Sequence, residues 1–226
     1  MSKLFVFLFA GGVNSSYNYA RYQNDLQRYG NLFATLPGVD GSTLTVMHAD
    51  GTASFQFPNI ASPTVLAATS SNLTNAFGTL ASSIASTDRF VFVASNHGGR
   101  DANGSTLWCW NEENVPAASF AQACNNITST QQAYIFGECY SGGFITPLAA
   151  TNRIILTGST DSQVTYATAD VSYDEFLLRV IESLEGGERC LGNVFTAAKA
   201  ADTQNESPQC SDTGGLGSQV SLLSGQ

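Results

Sequence analysis

Short apolar runs rich in β-branched and aromatic residues alternate along this chain with longer stretches of helical periodicity. This alternation restricts the possible folds more than any other feature, because each run ends in a Gly, Asn or Asp turn signal. Core strands are predicted at residues 4–9, 44–47, 90–94, 133–136 and 154–156. Helices are predicted at residues 19–33, 72–84, 117–125 and 173–184.

Strand and helix in regular alternation predict an α/β fold with a mainly parallel central sheet and helices on both faces. A chain of 226 residues with 43% hydrophobic content can bury one such core, so residues 1–226 are predicted to form a single domain. The last stretch of about 15 residues is predicted to be poorly ordered. In parallel sheets ligands bind beyond the carboxyl ends of the strands, so functional residues are expected in the loops that follow strands.

The charge balance excludes two classes of partner. The formal net charge is -9 and only nine residues are Lys or Arg, which predicts binding neither to nucleic acid nor to an anionic membrane. The amino-terminal apolar run is too brief to span a membrane and leads directly into Gly11 and Gly12, so we interpret it as a buried first strand rather than a signal peptide. A soluble monomer or weak homodimer is expected, and the choice between cytoplasmic and secreted stays open.

The five cysteines, at positions 109, 124, 139, 190 and 210, are an odd number. Any complete disulfide scheme leaves one thiol free, and Cys139 is the candidate. The other four could form two disulfides in an oxidising compartment or remain buried thiols. Their spacing matches no metal-binding pattern, and the two histidines are far apart, so no metal and no cofactor are expected.

Two loops after consecutive predicted strands carry the groups needed for acyl transfer. His97 lies in Ser-Asn-His-Gly-Gly-Arg after the third strand, and Cys139 lies in Gly-Glu-Cys-Tyr-Ser-Gly-Gly after the fourth. If these strands are neighbours, the imidazole can accept the thiol proton. The flanking glycines leave backbone N–H groups uncrowded, which makes Gly98 and Cys139 the candidate oxyanion donors. His48 has no matching cysteine loop and is interpreted as a hydrogen-bonded structural residue.

These motifs together resemble the legumain family of asparaginyl endopeptidases, within the caspase and gingipain group. Ala-Gly-Gly at residues 10–12 and Tyr-Asn-Tyr-Ala-Arg-Tyr-Gln-Asn-Asp at residues 17–25 are also similar to a segment of that family. The likeness is spread over three loops and covers about residues 4–185. It implies a caspase-like three-layer sandwich and a cysteine endopeptidase that acts on a peptide or protein substrate through an acyl-enzyme.

The resemblance also implies roles for individual residues. It assigns Cys139 as the nucleophile, His97 as general base and acid, and Asn18 as the residue that orients His97. Two departures from the family are visible, since Ala20 is an extra residue and Tyr22 stands where the family has histidine.

The primary specificity pocket is implied in the same way. Arg21 and Glu138 would line it, and Asp174, favoured over Asp170, would complete it. An arginine with a carboxylate suits an asparagine side chain, because an amide both donates and accepts hydrogen bonds. Cleavage after Asn is therefore predicted, with Asp cleaved less well and best at low pH.

In related families the strand after the nucleophile leads into a segment that pairs with extended substrate, which points here to residues 157–160, with Ser159 and Thr160 as contacts. A plain polar loop is the other interpretation of that segment.

Three other functions share part of this pattern. An α/β-hydrolase is disfavoured because both histidines precede Cys139, whereas in that fold the histidine follows the nucleophile. A non-catalytic binding module with the same fold is possible in principle, although both reactive groups are present. A peptide ligase or transamidase would use the same acyl-enzyme with an amine in place of water.

Overall fold

The computed structural model describes residues 2–225 and contains a large central sheet flanked by helices on both faces. The strands are β1 (Leu4–Ala10), β2 (Leu44–His48), β3 (Thr64–Leu66), β4 (Arg89–Ala94), β5 (Gly98–Asp101), β6 (Gly104–Trp108), β7 (Asn114–Pro116), β8 (Gln131–Phe136), β9 (Arg153–Thr157) and β10 (Gln209–Asp212). The α-helices are α1 (Ala20–Phe33), α2 (Ser70–Ser83), α3 (Ala117–Cys124), α4 (Ile145–Leu148), α5 (Glu175–Glu185), α6 (Leu191–Ala201) and α7 (Ser221–Ser224).

The central sheet has seven strands in the order β10-β9-β8-β4-β1-β2-β3. All neighbours are parallel except β10, which runs antiparallel to β9. The five core strands predicted from the sequence are β1, β2, β4, β8 and β9, and all four predicted helices are present. The predicted α/β class with a mainly parallel sheet is therefore confirmed.

Alternate residues of each core strand enter two different hydrophobic cores. In β1 the residues Leu4, Val6 and Leu8 face α1, α5 and α6, while the intervening phenylalanines face α2 and α3. The second core is strongly aromatic, and ring centroids such as those of Phe7 and Phe77 lie 5.2 Å apart. Burial on both faces explains why the strands are continuously apolar, and it gives the three layers of a caspase-like sandwich.

Several elements carry no clear sequence signal. The antiparallel sheet β5-β6-β7 lies between β4 and α3, and its first strand is Gly-Gly-Arg-Asp, a sequence without an apolar pattern. Strand β10 is polar and largely exposed. Such edge strands are defined by pairing with a distant neighbour rather than by their own composition.

The carboxyl end of the described chain contains the short helix α7. Leu222 and Leu223, in α7, are buried in the first hydrophobic core. The buried guanidinium of Arg89 donates a hydrogen bond of 3.1 Å to the carbonyl of Leu222 and thereby ties the end of the chain to β4. These two leucines extend the first hydrophobic core, and the poor order of the last stretch stays a prediction. Within residues 2–225, no helix is long and apolar enough to cross a bilayer.

Candidate active site

Parallel strands β4 and β8 are neighbours, and Ala94 at the end of β4 lies opposite Phe136 at the end of β8. His97 and Cys139 each follow three residues beyond these ends, at the same edge of the sheet. The two loops touch at Gly98, because a Cβ atom there would overlap the backbone carbonyl of Cys139. Glycine at position 98 therefore allows the two loops to approach each other more closely than any residue with a Cβ atom would permit.

The orientation of His97 is set by a backbone carbonyl. Its Nε2 lies 3.1 Å from the carbonyl oxygen of Tyr17, in the loop after β1. Because a carbonyl only accepts hydrogen bonds, Nε2 carries the proton and Nδ1 keeps its lone pair in the neutral ring. Burial lowers the pKa of His97, the hydrogen bond to Tyr17 raises it, and the charge of Arg21 lowers it. The lowered pKa favours the neutral imidazole, which can accept a proton at Nδ1.

Three tyrosine rings surround this imidazole. The centroids of Tyr17, Tyr19 and Tyr22 lie 5.9, 5.2 and 5.4 Å from that of His97, and the first and third rings meet it edge-on. Aromatic contacts of this kind restrict ring rotation. The loop after β1 thus holds the imidazole both by a hydrogen bond and by packing.

Asn18, implied as the residue that orients His97, lies one position beyond the carbonyl that makes this contact. Its side-chain oxygen is buried against Gly12 and has no hydrogen-bond partner in the described part of the chain. In this structure the contact to the imidazole comes from Tyr17. A backbone carbonyl has no sequence signature, which is why the sequence could not indicate it.

The Cys139 thiol is half-buried and faces the loop between β9 and α5. Its Sγ accepts a hydrogen bond of 3.3 Å from the backbone N–H of Thr165 and lies 3.7 Å from the hydroxyl of the same residue. Among residues 2–225 the hydrogen bonds of this sulfur go to Thr165 alone. Proton transfer to His97 therefore requires the thiol to turn from Thr165 toward the imidazole.

The chain turns sharply after the thiol. Tyr140 has a left-handed backbone with φ of 60°, and its N–H donates to the carbonyl of Gln163 at 2.7 Å. Non-glycine residues adopt this conformation at a cost, and such residues cluster at functional sites. The turn leads into the 3₁₀ helix Ser141–Phe144 and leaves Cys139 at the apex between strand and helix.

Arg21 lies in the first turn of α1, close to His97. Its guanidinium is 4.3 Å from the ring centroid of Tyr19 and 4.7 Å from that of Tyr22. Nη2 donates a hydrogen bond of 3.1 Å to the Tyr22 hydroxyl. Tyr22, the residue that replaces the family histidine, thus contacts both Arg21 and the imidazole of His97.

Asp174 is the amino-terminal cap of α5, where its Oδ1 accepts the N–H of Leu177 at 3.0 Å. A Cβ atom at Gly137 would lie 2.7 Å from this oxygen, so the carboxyl is directly beside the strand that leads to the thiol. Burial raises the pKa of Asp174 well above its usual range, and the charge of Asp25 adds to the effect. Asp170, the weaker candidate, is exposed and bonds only within its own turn.

Three further residues implied for the substrate site have other surroundings. Glu138 is fully buried, with no partner for either carboxyl oxygen in the described chain, and burial raises its pKa well above the usual range. Ser159 is also fully buried and bonds the carbonyl of Glu138 at 3.4 Å. Neither offers surface to a substrate, so the structure does not support a direct contact. Thr160 is half-buried, and its hydroxyl donates to Gln163.

Strand alternation explains the position of Glu138. Tyr134 and Phe136 enter the aromatic core, whereas Gly137 packs on the opposite face against Asp174. The next side chain therefore returns to the aromatic side, where the Cys109 thiol is buried. Burial raises the pKa of that thiol to about 12, and the charges of Glu113 and then Glu138 add to the effect. The sequence alone does not reveal this face, because the strand ends before Glu138.

His48 also differs from its interpretation as a hydrogen-bonded residue. The ring is buried, and within residues 2–225 neither nitrogen has a partner. Burial lowers its pKa, and the imidazole packs edge-on against Phe55, with ring centroids 5.7 Å apart.

All five cysteines are free thiols in this structure, which contains neither of the two disulfides that the sequence left open.

The buried carboxyl of Asp25 links the two halves of the site. Its Oδ2 accepts the hydroxyl of Ser95 at 2.6 Å and the N–H of Asp174 at 3.1 Å. Burial raises the pKa of Asp25 to about 7 from an ordinary value of 3.8. A folded-state pKa above the unfolded one means that the protonated carboxyl stabilises the fold at low pH, and that this stability is lost as the pH rises through about 7.

An Asp25→Asn variant should therefore lose part of the pH dependence of stability. The amide oxygen can keep both hydrogen bonds, and the cost of burying a charge disappears. Relative to the wild type, we expect the free energy of unfolding of the variant to rise between about pH 4 and pH 8, by up to about 1.4 kcal/mol per pH unit below the folded pKa. Urea unfolding at both pH values measures this difference. An equal difference between the two proteins at both values would contradict it.

The sequence profile of the peptidase C13 family matches residues 60–214, well over half of the chain. The chain belongs to the peptidase C13 family. His97, Cys139 and Asp174 lie within the matched region, whereas Asn18 and Arg21 precede it. Membership of the C13 family indicates a cysteine peptidase, the class of enzyme to which a thiol and an imidazole on adjacent strand ends correspond.

The fold of this C13 family member is also found in a solved structure. The crystal structure of protein GSU0716 from Geobacter sulfurreducens superimposes with a TM-score of 0.68, covering 98% of this chain and 99% of that protein at 11% sequence identity. At this identity the likeness shows the fold alone. No curated protein sequence matches the chain.

Proposed function

We propose that this C13 family member is an endopeptidase that cleaves after asparagine, with Cys139 as nucleophile and His97 as proton carrier. The observation that supports the proposal most directly is the hydrogen bond from Nε2 of His97 to the Tyr17 carbonyl. It leaves Nδ1 as the basic nitrogen of a ring held next to the nucleophile loop. A general base needs both a free lone pair and a fixed position.

The chemistry follows in two balanced steps. Sγ of Cys139 attacks the substrate carbonyl carbon while its proton moves to Nδ1 of His97, and the carbonyl oxygen becomes an oxyanion near the N–H groups of Gly98 and Cys139. The tetrahedral intermediate then breaks its C–N bond, and Nδ1 returns the proton to the leaving amine. Water, deprotonated by the same nitrogen, hydrolyses the thioester and restores the thiol.

The preference for asparagine is supported by the groups beside the thiol. Arg21 can donate to the oxygen of an amide side chain, and Asp174 can accept from its NH₂ group. At low pH, Asp174 and an aspartate side chain of the substrate are both protonated, so their repulsion vanishes. Cleavage after Asp should therefore increase relative to cleavage after Asn as the pH falls.

An acylating peptide probe with Asn at its reactive end tests the proposal. Mass spectrometry of the labelled protein should show modification at Cys139 and not at Cys210, the exposed thiol. A library of peptides that differ only in the residue before the cleaved bond should give Asn as the preferred residue. Strict cleavage after Arg or Lys would refute the proposed specificity, and absence of Cys139 labelling would refute the mechanism.

Replacement of Tyr22 by Phe should weaken substrate recognition more than chemistry. The ring that packs on His97 is kept, but the hydroxyl that accepts the 3.1 Å hydrogen bond from Arg21 is lost. We expect KM for Asn peptides to rise about fivefold with kcat nearly unchanged, as for the loss of one hydrogen bond in binding. Steady-state kinetics with the same Tyr→Phe change at Tyr173 as control measures this split. A fall in kcat at constant KM would argue that Tyr22 acts on His97 instead.

A further inference from the structure

A cavity of ≈ 340 Å³ lies beside His97, and Arg21 is not among the residues that line it. Its lining includes Tyr17, His97, Gly98, Trp108 and Glu112. Trp108 is the last residue of β6, and both its neighbours, Leu107 and Cys109, are buried in the aromatic core.

The two sides of His97 belong to different layers of the fold. Asp174 and Leu177, which pack against Gly137, belong to the layer of α1 and α5, together with Arg21. The cavity lies between the loop after β1, which supplies Val13, Asn14 and Tyr17, and the hairpin strands that carry Gly98 and Trp108. That hairpin packs on the other layer, because Leu107 is buried in the aromatic core. Since His97 hands its proton to the leaving amine, the residues that follow the cleaved bond are expected to leave the site past the imidazole, where this cavity lies.

The cavity presents an aromatic ring and a carboxylate that the loops hold in place. Oε1 of Glu112 accepts a hydrogen bond of 2.8 Å from the Asn14 side chain, and the Glu112 N–H donates to the carbonyl of Val13 at 2.9 Å. Both Val13 and Glu112 have left-handed backbones, with φ of 60° and 62°. Val13 is β-branched, and such residues rarely adopt this conformation, so its backbone is strained. The hydrogen bonds between the two loops hold this conformation and thereby fix the position of the Glu112 carboxylate.

The pairing of Trp108 with Glu112 suits a cation. An indole face attracts an ammonium or guanidinium group through its quadrupole, and the carboxylate supplies a charge-assisted hydrogen bond. The apolar stem of a lysine or arginine side chain can cover the Val13 and Trp108 surfaces. An acidic side chain would meet the charge of Glu112 and be disfavoured.

We propose that this cavity binds a lysine or arginine side chain at the position directly after the cleaved bond, so that the enzyme selects Asn followed by a basic residue. This inference depends on the proposed peptidase function. It adds a second determinant of specificity, on the leaving-group side, to the one formed by Arg21 and Asp174.

Three peptides that are identical except for Lys, Ala or Glu after a common Asn test the proposal. For the wild type, we expect kcat/KM for the Lys peptide to exceed that for the Ala peptide about fivefold and that for the Glu peptide at least about twentyfold. Glu112→Gln keeps an oxygen for Asn14 and should reduce the ratio of Lys to Glu to about threefold. Glu182→Gln, which removes an equal charge from the exposed side of α5, should leave the ratio unchanged.

The outcomes separate this inference from the proposed function. Equal turnover of the three peptides by a protein whose Cys139 is labelled would overturn the cavity assignment and leave the peptidase intact. Failure to cleave any of them, without labelling of Cys139, would overturn both. The wild-type comparison alone decides the matter if Glu112→Gln fails to fold, which circular dichroism would show.

Discussion

Replacement of Cys139 by alanine is expected to lower kcat/KM for an Asn peptide by at least about 10⁴-fold. The acyl-enzyme cannot form without a nucleophile, and neither His97 nor the oxyanion donors can replace covalent catalysis. Cys139 is half-buried in the structure, so loss of its sulfur should leave the fold intact. Peptide hydrolysis followed by chromatography, on protein whose fold is verified by circular dichroism, gives the measurement.

Cys210→Ala is the matched control for this variant. Cys210 is exposed on β10, opposite Leu156 of β9, and lies outside the loops that carry His97 and Cys139. Its replacement should change kcat/KM by less than about twofold. If Cys139→Ala kept its turnover while Cys210→Ala lost it, the nucleophile would have been assigned to the wrong thiol.

The sequence predicted the architecture well because its signals are local. Buried parallel strands such as β4 and β8 must be apolar on both faces, and that demand is visible in a run of five or six residues. The positions of His97 and Cys139 follow from the same rule, since both come directly after such runs. The proximity of these two residues could be inferred because parallel strands end at the same edge of the sheet.

The parts of the site that escaped prediction depend on long-range geometry. The Tyr17 carbonyl could be supplied by any residue, so its contact with His97 leaves no mark on the sequence. The loop carrying Thr165 reaches the thiol from 26 positions away, and its N–H donor is a backbone group that leaves no mark on the sequence. Glu138 and Ser159 were placed at the substrate site by resemblance, yet both are fully buried. Burial depends on which face a side chain takes, which a loop sequence does not define.

A second large effect is expected from Gly98→Ala. The added Cβ atom would overlap the carbonyl oxygen of Cys139 and lie 3.0 Å or less from its backbone nitrogen and carbonyl carbon. Since both partners are backbone, no side chain can swing aside, and the loops must separate. We expect a loss of about 10² in kcat/KM, because displacement of catalytic groups by about 1 Å can cost this much. The change should fall mainly on kcat, as the groups around Arg21 are not touched.

Gly78→Ala supplies the control, since a Cβ atom at that position in α2 would meet nothing within 4 Å. It should leave activity unchanged and raise the free energy of unfolding by about 0.5 to 1 kcal/mol, as expected for alanine in a helix. Labelling by the Asn probe distinguishes the causes of a loss in Gly98→Ala. If the folded variant is labelled slowly at Cys139, the substitution has separated the nucleophile from its base. This is the result that the close contact of the two loops predicts. A folded variant with normal kcat would mean that the contact at Gly98 does not hold His97 and Cys139 together, and the catalytic pairing would then need another basis.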